Sequence, residues 1–97
     1  MTDSKFKDWI RVNTEIIDNY NNISNIKCPN CKMAEINYQY VGDTSSRVGF
    51  LDLWCNACLQ GIHISRTKVP EHISMISFDD VNEYKRVVPK FTVIEPF

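Results

Sequence analysis

Glycine is scarce in this chain, three in 97 residues, and proline barely less so, with four. A collagen repeat and a flexible linker protein are both excluded. Charge of one sign is missing too: eleven Lys and Arg stand against twelve Asp and Glu, for a formal net charge of −1. That excludes a strongly basic nucleic-acid arm and an acidic tail. No apolar run approaches the ~20 residues that cross a bilayer. The first residues, MTDSKFKDWIRV, break their apolar positions with charges, unlike a secretory signal. A cytoplasmic protein with no membrane contact is the expectation. What is present suits a folded domain: 43% of residues are apolar and 24% charged, which rules out wholesale disorder. The length suits a single domain over 1–97. The abundance of Asn and Ile is typical of an AT-rich, bacterial genome, an association rather than a physical argument.

The cysteines are only four, Cys28, Cys31, Cys55 and Cys58, and none lies outside two Cys-x-x-Cys pairs. Three disulfide pairings are open arithmetically, but a reducing compartment disfavours them. A spacing of two residues suits a tight turn that aims both sulfurs at one point. Two such turns supply four thiolates in a tetrahedron, the geometry of structural zinc. The 23 residues between Cys31 and Cys55 exceed the usual ~15–20, and a longer hairpin absorbs the difference. Pro29 fixes a dihedral inside the first turn, and Asn30 tolerates turn geometry. Iron on the same four thiolates is one alternative. A dithiol redox site is another, and it fits less well, because the residues after Cys31 read as strand rather than helix.

At Lys27-Cys28-Pro29-Asn30-Cys31-Lys32 and Trp54-Cys55-Asn56-Ala57-Cys58-Leu59-Gln60-Gly61 the chain resembles the zinc-ribbon family. The likeness covers about residues 26–68. It implies a β-hairpin between two knuckles and one structural Zn2+ held by Cys28, Cys31, Cys55 and Cys58. It implies nothing about function, because ribbons serve unrelated ones. Many ribbons put Gly directly after the second Cys of a knuckle. Lys32 and Leu59 occupy those positions here, so adjusted turns are expected, with Gly61 in partial compensation.

Around the ribbon, the chain divides into an N-terminal helical segment, 1–25, and a strand-helix-strand extension, 69–97. Over 4–20, Phe6, Trp9, Ile10, Ile16, Ile17 and Tyr20 form one helical face interrupted by Asn13. Asp3 or Ser4 can cap it, and Asn19-Tyr20-Asn21-Asn22 ends it. Residues 35–41 alternate, with Ile36, Tyr38 and Tyr40 on one face of a half-buried strand. Residues 47–54 are apolar on both faces, as in a central strand. Residues 61–66 form a third strand, with Ile62 and Ile64 inward and His63 off the sheet. Residues 72–78 read as a fourth. A short helix is expected from Ser77, with Asp79, Asp80 and Glu83 near its start and Lys85 and Arg86 near its end. Val81, Tyr84 and Val88 form its stripe, Pro89 stops it, and 91–94 form a last edge strand before Pro96. The expected fold is α+β: an antiparallel sheet centred on a zinc ribbon, with an N-terminal amphipathic helix and a short C-terminal one.

Four thiolates fill a zinc shell and leave no position for activating water. Neither His63 nor His72 sits in a recognisable catalytic pattern, and no phosphate loop, nucleophile elbow or His-Glu-x-x-His is present. Asp79-Asp80 reads as helix-start charge rather than as paired catalytic carboxylates. A non-enzyme without a small-molecule substrate is expected. By segment, 1–25 carry three basic and four acidic residues, 26–70 five and three, and 71–97 three and five. The cations that could meet nucleic acid are Lys27, Lys32, Arg66 and Lys68, with Tyr38, Tyr40 and Phe50 able to stack on bases. Lys27 and Lys32 equally offset the thiolates that they flank. The leading expectation is a protein partner. Its concrete version is an immunity-type inhibitor of a bacterial toxin that presents Glu71, Asp79, Asp80 and Glu83 to a basic nuclease cleft. A nucleic-acid-binding ribbon and a structural subunit of a larger complex are the alternatives.

Overall fold

The computed structural model describes residues 6–20 and 23–95. The elements are α1 (Phe6–Asp18), β1 (Ile36–Gly42), β2 (Val48–Cys55), β3 (Gln60–Lys68), β4 (Met75–Ser77), α2 (Val81–Val87) and β5 (Thr92–Val93). The expected caps Asp3 and Ser4, the stop residues Asn21 and Asn22, and Pro96 lie outside the described residues.

Five strands form one sheet in the order β4-β1-β2-β3-β5. The three inner strands are the antiparallel meander expected of the hairpin and its neighbour. The sheet as a whole is mixed rather than antiparallel, which corrects the expectation. β4 runs parallel to β1, and β5 parallel to β3. The cause is connection geometry: residues 69–74 carry the chain from β3 across to the β1 edge, and α2 carries it back to the β3 edge. Such crossovers produce parallel neighbours, whereas tight turns produce antiparallel ones. The fourth strand is three residues rather than 72–78, because a turn at 70–73, closed by Ile73 N–H to Pro70 C=O, occupies its expected start.

β2 is central, and both of its faces are covered. Leu51, Leu53 and Cys55 pack on the α1 side, together with Ile36 and Ile62. Phe50, Asp52 and Trp54 face α2 and the segment after it. α1 buries Trp9, Val12 and Ile16. Ile10 and Ile17, expected in the stripe, are 38% and 51% exposed. The buried line therefore follows i, i+3, i+7, and Phe6 and Tyr20 pack at its margins.

Tyr20 meets the sheet through its hydroxyl, 2.8 Å from that of Tyr40. Tyr38 and Tyr40 are in ring contact with Tyr20 and with each other. Phe50 contacts His63, Phe78 and Tyr84. All three proposed base-stacking rings thus pack, tilted or edge-on, against other rings of the protein. The 69–74 crossover is held by Arg47, whose guanidinium donates to the carbonyls of Pro70 and Ile73, each at 2.7 Å.

Candidate metal centre

The first Cys-x-x-Cys turn precedes β1, and the second joins β2 to β3. Both turns fold through the same bonds. Lys32 N–H closes back to Cys28 C=O, and Leu59 N–H to Cys55 C=O, each at 2.9 Å. Asn56 N–H donates to Glu35 C=O at 2.8 Å, which ties the second turn to the start of β1. The four sulfurs therefore converge, all within 4.8 Å of one another. Cys28 Sγ is 3.7 Å from Cys58 Sγ, and Cys31 Sγ is 3.6 Å from Cys55 Sγ. A disulfide would need about 2.05 Å, and all four cysteines are free. Tetrahedral zinc, with Zn–S bonds of about 2.3 Å, would set sulfurs about 3.8 Å apart. The donor set fits a metal ion.

Backbone amides complete the cage. Asn30 and Cys31 N–H point at Cys28 Sγ, at 3.3 and 3.4 Å, and Ala57 N–H points at Cys55 Sγ, at 3.3 Å. Such donors stabilise thiolate charge. Burial works the other way. It pushes the Cys28 thiol up to about 12 against the pull of the two amides, and it also raises Cys55. Burial raises Cys58 as well, but the Asn30 side chain, the Gln60 N–H and the neighbouring sulfurs outweigh it and bring this thiol down. A cation held at the centre would supply the charge that reverses the burial effect.

Lys32 and Leu59 take left-handed backbone angles, φ 69° and 55°, and no glycine has positive φ. Gly61 serves a different purpose: a Cβ there would lie 2.1 Å from Leu53 C=O in the adjacent strand. A non-glycine residue in this region costs about 1–2 kcal/mol, while glycine's extra chain entropy gives back about 0.5–1 kcal/mol. Lys32→Gly and Leu59→Gly are each expected to stabilise the metal-loaded protein by about 0.5–1 kcal/mol. Guanidinium titration checks this, and a lower midpoint in both variants would contradict it.

The cations of the nucleic-acid alternative do not come together. Lys27 and Lys32 flank the first turn, beside a groove they share with Asp8, Arg11 and Glu15 of α1. Arg66 and Lys68 lie at the opposite end of β3, roughly 20–25 Å along the strand from its metal-proximal start. The acidic residues also divide. Asp80 caps α2 by accepting from Glu83 N–H. Glu83 pairs with Arg86, whose guanidinium holds the carboxyl below its ordinary range. Asp79 and Glu71 are exposed. His72 sets its ring edge against Tyr20.

A second polar centre was missed by the sequence reading. Asp52, in the middle of β2, is 2% exposed. Its Oδ1 is 2.7 Å from His63 Nδ1, and its Oδ2 accepts from the Tyr84 hydroxyl at 2.6 Å. Burial and this bond raise the Tyr84 phenol above its usual range. The one available signal was a lone carboxylate inside the apolar run Phe50-Leu51-Asp52-Leu53-Trp54, since a buried charge requires partners.

Among the described residues, no helix is long and apolar enough to cross a membrane. Comparison with known proteins gives no match, whether to a family model, to a curated protein or to a solved structure. The likeness to a zinc ribbon thus rests on the cysteine arrangement.

Proposed function

We propose that this chain is a small zinc protein whose metal is structural and which works by binding a protein partner rather than by catalysis. The convergence of four cysteine sulfurs to within 4.8 Å carries the reading. Four thiolates favour zinc and leave it without an open position for substrate or water. The ion would join three parts of the chain: the segment before β1, the β2–β3 turn and, through Thr92 N–H to Leu59 C=O, the C-terminal strand. Elemental analysis of natively purified protein tests it, with one zinc per chain expected. Iron, or no metal, would overturn it.

Support for a protein partner comes from the approach to α2. Phe78 and Val81 are about half exposed, and exposed Asp79 and Asp80 lie between them. An apolar centre with a charged rim is how protein interfaces are built, and the sign of this rim suits a basic partner. In its most concrete form, that partner is a bacterial toxin with a basic nuclease cleft, and this chain is its immunity-type inhibitor. Affinity capture on the immobilised wild type and on Phe78→Ala/Val81→Ser, followed by mass spectrometry, identifies the partner. Retention of a basic protein by the wild type alone is expected, and equal retention by both would refute this surface.

Metal binding should depend on pH. The Cys28 thiol, raised by burial to about 12, is protonated at neutral pH, so an arriving ion must displace its proton. Apparent affinity should rise with pH and fall on acidification, by about tenfold per pH unit for each proton released. Competition with a chromophoric chelator across neutral pH measures the slope, and a flat profile would contradict proton-coupled thiolate ligation.

A further inference from the structure

On the sheet face opposite α1, an open cleft of about 440 Å³ is lined by Asp52, His63, Tyr84, Lys85, Lys90 and Phe91, with Val88, Pro89 and Val93 completing its walls. Asp52 forms its floor and is committed on both oxygens. With Oδ1 accepting from Nδ1, the His63 ring is fixed in orientation, and Nε2 is left without a partner among the described residues. The side chain of His63 is 41% exposed, so Nε2 is accessible to a ligand. Lys85 comes from the last turn of α2 and Lys90 from the segment that follows. Neither is in an ion pair with a carboxylate among the described residues. With His63 neutral, one buried carboxylate and two ammonium groups leave the cleft net positive. Phe91 adds a flat apolar wall and is itself backed by Trp54, at a ring separation of 6.0 Å.

We propose that this cleft is a second binding site, for a small aromatic phosphate monoester, with the phosphate held by Lys85 and Lys90 and the ring set against Phe91. Two ammonium groups match a phosphate dianion in charge, and charge-assisted hydrogen bonds are the stronger kind. The carboxylate below does not repel the ligand at full strength, because His63 and Tyr84 already occupy it. The apolar wall gives the organic group of a monoester a surface that inorganic phosphate would leave unused. The site is one of binding only, and no bond is made or broken in it. It does not depend on the identity of the metal.

Phenyl phosphate is the probe, titrated into full-length, metal-loaded protein and followed by two-dimensional NMR, including the His63 ring carbons. Saturable shifts at His63, Lys90 and Phe91 are expected. Lys85→Met/Lys90→Met, at two surface positions, should weaken binding at least about tenfold with metal content unchanged. His63→Gln should weaken it much less, since the ring N–H is spent on Asp52 and the phosphate is held by the two lysines. Inorganic phosphate and benzyl alcohol, which each carry half of the recognition, should both bind more weakly. Non-saturable shifts, an unaffected double variant, or either control matching phenyl phosphate would overturn the assignment.

Discussion

Stripping the metal from natively purified protein with a strong chelator is expected to abolish the near-ultraviolet circular dichroism of Trp9 and Trp54. A structural zinc contributes on the order of 10 kcal/mol of coupled binding and folding energy, comparable to the whole stability of a chain this size, about 5–15 kcal/mol. The two tryptophans report on different regions. Trp54 lies on β2, next to Cys55. Trp9 lies on α1, within the same apolar cluster as Cys28 and Cys55. If the metal only locked the turns, the Trp54 signal alone would fade. Since both cysteines are part of that cluster, the α1 signal should fade too. Cys28→Ser and Cys55→Ser should each reproduce the chelated spectrum. An unchanged spectrum after proven metal removal would show that the sheet stands without the ion.

Trp9→Ala should cost about 3–5 kcal/mol, the usual penalty for truncating a fully buried large aromatic residue. Trp9 is 0% exposed and packs among Val12, Ile16, Ile26, Leu53 and Ile62. With so little stability in reserve, the variant should be partly unfolded or melt far below wild type in a thermal scan. Ile10→Ala and Ile17→Ala are the matched controls: they lie on the same helix but outward, and should change stability by no more than about 0.5 kcal/mol. Equal losses in all three variants would mean that α1 presents a different face to the sheet.

The convergence of the four cysteines could be read from the sequence because its information is local. Two residues between cysteines fix each turn, and the hairpin between them announces itself by alternation at Ile36, Tyr38 and Tyr40. The end of α2 was equally clear, from Pro89, since termination depends on one or two residues. Its start, expected at Ser77, comes later: Ser77 ends β4, whereas Asp80 caps the helix and Val81 begins it. What stayed hidden was long-range. Whether β4 and β5 pair parallel or antiparallel depends on the route taken by the crossovers, which strand composition does not encode. The α1 face required a choice between Val12 and the pair Ile10 and Ile17, and only the sheet beneath settles it. The Asp52 centre assembles residues from β2, β3 and α2, so no sequence window contained it. The left-handed turns at Lys32 and Leu59 went unrecognised because residue type disfavours that conformation there and the sulfur geometry imposes it.

The last consequence comes from the irregularity in β3. Gly49 faces Thr67 while Phe50 faces Ser65, so Arg66 is an extra residue in the strand, with φ 56°. Among the described residues, β5 pairs with Gln60 and Gly61, and most of the outer rim of the nine-residue β3 has no neighbouring ladder. A flat rim of that length would template association between molecules. The bulge bends it out of plane, and Arg66 and Lys68 add charge at the same place. Charge and a bulge at this place suit an edge kept from pairing with another molecule, a use of Arg66 and Lys68 that needs no bound polymer.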